Sequence, residues 1–83
     1  MISLDRFILL SLAERLQYVF KHGSVLFNKT DKHHTIKLYL VDNLYVEVWF
    51  HIVKNKIEKV VALNDEQVLI HYGELIDISG FLN

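Results

Sequence analysis

Five histidines, His22, His33, His34, His51 and His71, are the side chains in this 83-residue sequence best equipped for chemistry. Imidazole titrates near neutral pH and is the commonest metal ligand. None of the five shows the His-x-x-x-His spacing that places two rings on one helix face. His33 and His51 become cross-strand neighbours in the strand register argued below, with Cβ atoms about 5 Å apart. A metal would then need a third ligand, such as His71 or an aspartate. Surface histidines near a sheet end are the simpler reading, so no metal ligands and no cofactor are assigned. Glu47 and His51 share a strand face, but four residues separate them by about 13 Å at 3.3 Å per residue. That is far beyond the reach of an acid/base pair. Ser24 and Ser79 lie near glycines without forming a nucleophile elbow. Phosphate loops and dinucleotide fingerprints are absent. The sequence therefore assigns no catalytic residue and points away from an enzyme.

Composition narrows the class further. Eighty-three residues make one domain, residues 1–83. A domain this short buries a small fraction of its surface, and small domains commonly add disulfides, metals or association. There is no cysteine, which removes disulfides and fits a reducing, cytoplasmic setting. Hydrophobic residues make up 52% of the chain, slightly above the usual range of about 45–50%. A homo-oligomer is the expected way to hide the surplus. Net charge is −1 with no basic cluster, so no nucleic-acid partner is expected. Asp5, Arg6, Glu14 and Arg15 interrupt the apolar N-terminus, so neither a signal peptide nor a membrane span is expected.

The elements that must position any site follow from periodicity. Ser3 caps a short helix near residues 4–9, and Asp5 suits its positive end. Ser11 and Glu14 form a capping-box pattern that restarts a main helix from Leu12 to His22. Leu12, Leu16, Val19 and Phe20 make its apolar stripe, and Gly23 fits a left-handed residue after its end. Strands follow at 24–29, 35–41 and 57–63. Between the last two lies the longest alternating run, Leu44 to Val53, which is placed centrally. Asn64 and Gln67 cap a C-terminal helix from about Asp65 to Leu75, with Gly73 a point where it can end early. The tail from Asp77 is expected to dock with one turn of helix. The predicted architecture is α+β: an N-terminal helical segment, a four-stranded antiparallel β-meander and a C-terminal helix.

Register decides which side chains meet. A two-residue Asp42-Asn43 turn would set Leu38 opposite Glu47 and Ile36 opposite Trp49, mixing apolar and polar faces. A three-residue loop, Val41-Asp42-Asn43, pairs Leu40 with Leu44, Leu38 with Val46 and Ile36 with Val48. It also pairs Tyr39 with Tyr45, Lys37 with Glu47 and His33 with His51, and leaves Asn43 left-handed. The three-residue loop is the expectation adopted. A two-residue Asn55-Lys56 turn then sets Phe50 opposite Val61 and Val48 opposite Leu63. One face becomes wholly aliphatic. The other gathers Tyr39, Tyr45, Trp49, Val60 and Ala62, bordered by Lys37, Glu47 and Glu58.

That aromatic face is the functional expectation, because exposed apolar patches of more than a few hundred Å² mark interfaces or grooves. Its cover could be the C-terminal helix, a second copy of the chain, or an outside ligand or partner protein. The reading adopted is a non-enzymatic interaction module that self-associates through this face or a sheet edge. The alternative is a small-molecule-binding domain using the same surface. The site residues are Tyr39, Tyr45, Trp49, His51, Lys37 and Glu47.

A helix ending in Gly23, a Leu38-Tyr39 strand, a Tyr45-Val46-Glu47-Val48 strand, a turn into Lys56-Ile57 and a tail from Tyr72 through Ile76-Asp77-Ile78 make up a recognisable outline. It resembles a group of short bacterial proteins of unknown function. The resemblance implies a bacterial-type, cytosolic protein and carries no activity or catalytic residue with it.

Overall fold

The computed structural model describes residues 1–74. Two helices, α1 (Leu4–Leu9) and α2 (Leu12–His22), precede four strands, β1 (Gly23–Thr30), β2 (His34–Val41), β3 (Leu44–His51) and β4 (Lys56–Leu63). Helix α3 (Asp65–Tyr72) follows as the last element of the described residues. The sheet is a meander in the order β1-β2-β3-β4, antiparallel throughout. This is the α+β architecture expected from periodicity. The expected tail after Asp77 lies outside the described residues.

The helix boundaries follow from their caps. Ser3 accepts from the Arg6 N–H, and the chain leaves helical geometry at Leu10. Ser11 and Glu14 then satisfy each other's backbone N–H groups in a full capping box, and Asn64 and Gln67 do the same for α3. Each box satisfies donors that a helix start leaves open. Helix α3 stops at Tyr72, with Gly73 as its C-cap.

Gly23 departs from expectation. Its backbone is extended (φ −94°, ψ 154°), so α2 runs directly into β1 with no left-handed residue between them. Close approach is what requires glycine here. A Cβ would lie 2.6 Å from the Val19 carbonyl oxygen and 3.0 Å from Val41 Cγ2.

The central register also differs. Val41 pairs with Leu44 across a two-residue Asp42-Asn43 turn, so Leu40 faces Tyr45, Leu38 faces Glu47 and Ile36 faces Trp49. The expected Leu40–Leu44, Leu38–Val46, Tyr39–Tyr45 and Lys37–Glu47 pairs do not form. The left-handed residue is Asp42 (φ 53°), not Asn43. Strand β2 is apolar on both sides, so either register buries aliphatic side chains. The Lys37–Glu47 pair that favoured the other register is worth only about 0.2–1 kcal/mol. Turn geometry decides instead, and the Asp42 carboxylate ties this turn to the N-terminal helices. It accepts the Ile2 N–H at 2.9 Å and the Tyr18 O–H at 2.6 Å.

The β3–β4 connection is a four-residue loop, 52–55, rather than the expected two-residue turn, and β3 ends at His51. Asn55 takes the left-handed conformation in it (φ 54°). Phe50 pairs with Ile57, but Trp49 pairs with Lys59, so Glu58 is the extra residue of a β-bulge. Beyond it Val48 pairs with Val60 and Glu47 with Val61. The expected Phe50–Val61 and Val48–Leu63 pairs are replaced.

Helices therefore pack on both sheet faces. On one, α1 and α2 seal a core of Phe7, Val19, Tyr39, Val41, Val46, Val48 and Val60. On the other, Val68 and Tyr72 of α3 pack on Leu38, with Phe27, Tyr45 and Leu63 around them. Among the described residues no helix is long and apolar enough to cross a membrane.

Candidate functional site

The expected aromatic face does not exist as one surface. Tyr39 lies in the core under α1 and α2, whereas Tyr45 packs on the α3 side. Trp49 shares that second side with its register partner Ile36. Val60 and Ala62 join the helix-pair core instead of flanking Trp49. Lys37 faces Val48 and borders an open groove. Of the six expected residues, Tyr45, Glu47, Trp49 and His51 remain on a common face, and Tyr39 and Lys37 are separated from them. The cause is the Asp42-Asn43 turn, which shifts β3 by one residue against β2 and so inverts its faces relative to expectation.

Glu47 has a structural role. It is 6% exposed, and a buried carboxylate persists only when its oxygens are satisfied. Trp49 Nε1–H donates to one oxygen at 3.0 Å, and the Tyr72 hydroxyl donates to the other. Burial, followed by the bond to Glu47, pushes the Tyr72 hydroxyl well above the ordinary tyrosine range. Glu47 thus anchors α3 to the sheet and is not free to meet a partner. The Lys29 ammonium sits 4.3 Å over the Tyr72 ring and completes this polar seam.

Among the described residues, a groove and a side-chain cluster bear on function. The first is a groove on the helix-pair side. Helix α2 crosses only part of the sheet, and beyond it Phe20, Thr35, Lys37, Tyr39, Val48, Phe50 and Ile57 line about 260 Å³ of space. Phe20 belongs to the expected apolar stripe of α2, yet it is 62% exposed and stands at the groove's edge, 6.4 Å from the Tyr39 ring.

The second is a cluster at the sheet end on the Trp49 side. His34 and His51 are register partners, with ring centroids 4.9 Å apart and planes at 78°. Glu58 joins them through the bulge. Strict alternation between Ile57 and Val60 would break without an extra residue, and bulges re-aim side chains in this way. Here the bulge turns the Glu58 carboxylate onto His34. The His34 Nε2–H donates to Glu58 Oε1 at 2.6 Å, and that bond holds the Glu58 carboxyl below its ordinary range. An ionised carboxylate can only accept, which fixes the direction of the bond. Lys54 Nζ lies 3.7 Å from the other Glu58 oxygen.

The loop before β2 orients the first histidine. Asp31 Oδ1 accepts the backbone N–H groups of His33 and His34 at 2.9 and 2.8 Å, and these bonds lower its pKa. The same oxygen lies 3.4 Å from His34 Nδ1. His51 Nδ1 accepts the Lys54 N–H at 3.0 Å, and the His33 ring stacks on His51 at 6.0 Å and 9°. Trp49 meets the edge of His34 at 5.3 Å.

His33 and His51 do come together as rings, but the strand partner of His51 is His34. The third donor is Glu58, rather than His71 or an aspartate. The sequence signal for His34 was its adjacency to His33. For Glu58 there was none, because a bulge leaves no periodic trace.

No protein-family model, curated protein or solved structure matches this chain.

Proposed function

We propose that this protein is a non-enzymatic interaction module that self-associates through the uncovered part of the helix-pair face. The groove beside α2 carries the reading, because its floor and lip are made of Tyr39, Val48, Phe50, Ile57 and a largely exposed Phe20. A second copy suits it better than a small ligand for two reasons. A two-fold pairing brings the same patch from each copy into contact, and the projecting Phe20 of one copy can fill the groove of the other. The groove's volume of about 260 Å³ is also below the 300–1,000 Å³ usual for small-molecule sites, which weighs against the ligand-binding alternative. Aromatic anchors seated in apolar pockets are the residues that dominate such interfaces. A cytosolic setting goes with this reading, on the cysteine-free composition and the bacterial-type outline.

Sedimentation velocity on the tag-free chain at low and high micromolar concentration tests it. The expected result is a dimer that Phe20→Glu converts to monomer while circular dichroism stays unchanged. A monomer at every concentration, or a dimer insensitive to Phe20→Glu, removes the proposal.

A further inference from the structure

We propose that His34, His51 and Glu58 form a binding site for a divalent first-row transition-metal ion, Zn²⁺ in the first instance. Each residue offers one ligand atom, and the three atoms lie within 4.8 Å of one another. Two imidazoles and a carboxylate are a donor set that suits zinc and its neighbours, whereas calcium and magnesium require oxygen ligands. Zinc bonds of about 2.1 Å in a tetrahedral site separate ligand atoms by about 3.4 Å. The His34–Glu58 contact, now 2.6 Å, must therefore open by less than about 1 Å. The hydrogen on His34 Nε2 stands where the ion would sit.

A second observation is independent of the three ligands. A histidine that binds a metal through one nitrogen characteristically presents the other to a carboxylate, which fixes ring orientation. Asp31 supplies that group, with Oδ1 3.4 Å from His34 Nδ1. Asp31 is itself locked by two backbone N–H bonds from His33 and His34. It is a positioning residue that faces His34 from the side away from Glu58. The bulge is the third element. It places one carboxylate in the β4 strand against two histidines of β2 and β3, and bulges gather beside functional sites.

Binding changes the proton balance. Through solvent, His34 moves its ring hydrogen from Nε2 to Nδ1, where Asp31 faces it, and offers the Nε2 lone pair to the ion. Glu58 exchanges a hydrogen bond for a metal bond. At His51, Nδ1 already accepts the Lys54 N–H. The ion takes this lone pair and returns the N–H of an exposed turn residue to water, or it takes Nε2 after the ring hydrogen moves to Nδ1, which likewise ends the Lys54 bond. Lys54 Nζ, near the second Glu58 oxygen, opposes the ion, but its side chain is exposed and free to swing away. Three protein ligands leave one position for water.

The sequence contains a single tryptophan, and Trp49 touches His34, so the site carries its own reporter. The test is Zn²⁺ titration of the tag-free chain against a chromophoric chelator, with Cu²⁺ quenching of Trp49 fluorescence as the second readout. The expected result is one ion per chain at micromolar affinity or tighter, with saturable Cu²⁺ quenching that Zn²⁺ reverses. His34→Ala, His51→Ala and Glu58→Gln should each weaken binding at least tenfold. Asp31→Asn should weaken it by about 10- to 100-fold without changing the one-to-one stoichiometry. His22→Ala and His71→Ala should leave it unchanged. Circular dichroism checks each fold, and the near-isosteric Glu58→Gln serves if a histidine variant unfolds. No binding up to millimolar Zn²⁺, or equal loss in His71→Ala, overturns the site.

Discussion

The two faces of this sheet are held by different physics. Beneath α1 and α2 the contact is mainly apolar, valines with Phe7 and Tyr39. Phe7, Val19, Val41, Val46 and Val60 are fully buried, and none carries a polar side-chain atom. Beneath α3 the apolar contact is smaller, with Leu38, Val68 and Tyr72 at its centre. There a buried carboxylate, Glu47, collects one hydrogen bond from its own strand and one from the helix. Aliphatic packing is tolerant of exact geometry, whereas a buried charge is costly unless every partner is in place. The first face should therefore supply most of the stability, and the second should fix where the short α3 helix docks.

Truncations separate the two. Phe7→Ala removes a fully buried ring and should cost about 4 kcal/mol, a large part of the 5–15 kcal/mol typical of a domain. Glu47→Ala should cost about 3 kcal/mol, because it strands the Tyr72 hydroxyl and the Trp49 N–H without partners. Urea unfolding followed by Trp49 fluorescence measures both. A Glu47→Ala cost below about 0.5 kcal/mol, the scale of an ordinary surface change, would mean that the polar seam does not position α3.

A milder change sharpens the same contrast. Tyr72→Phe deletes only the hydroxyl and should cost about 1–2 kcal/mol. It should also alter the alkaline limb of the stability profile. The Tyr72 pKa is raised in the folded state by burial and by Glu47. Its contribution is therefore complete below the unfolded tyrosine value of about 10 and is lost as pH rises above it. Tyr18 and Tyr39 are also raised, the first chiefly by its bond to Asp42 and the second by burial. The variant should flatten the decline above pH 10 in part. An unchanged slope would show that Tyr72 ionises no harder in the folded protein than in the unfolded chain.

Helices and strands were legible in the sequence because each reports on itself. Ser11 with Glu14, and Asn64 with Gln67, announce helix starts that the structure reproduces, and alternation along 44–51 announces β3. What could not be read was the relation between strands. It hangs on whether Asp42 or Asn43 turns left-handed, and on a bulge at Glu58. Segregation of aliphatic from aromatic side chains favoured the three-residue loop, yet both sides of β2 are apolar, so the observed register buries aliphatic residues as well. The partner that makes a buried Glu47 tolerable, Tyr72, lies 25 residues away on another element. Its absence from any local pattern made Lys37 look like the natural mate. The aromatic surface fell with that register, while the histidine cluster was visible only in part, since His51 was already a candidate but was expected opposite His33 rather than His34.

The smallest expected effect concerns a polar tether at the edge of the helix-pair face, where the Arg15 guanidinium makes another by donating to the Val60 carbonyl at 3.1 Å. Asp42 stands at the rim, where its carboxylate accepts the Tyr18 O–H and the Ile2 N–H. These bonds, the Tyr18 one foremost, hold its pKa below the ordinary value. A lowered folded-state pKa contributes stability above the unfolded value of about 3.9, and that contribution fades as pH falls through the folded value. The Asp42→Asn variant keeps a residue that tolerates the left-handed turn and keeps an acceptor oxygen, but removes the charge. It should melt slightly below the parent at pH 7 and approach it at pH 3, with the register intact by cross-strand NOEs between Leu40 and Tyr45. Should the variant instead slip to Leu40–Leu44 contacts, the turn's charge would be what selects the register, and the aliphatic face would depend on a polar contact as much as its opposite does.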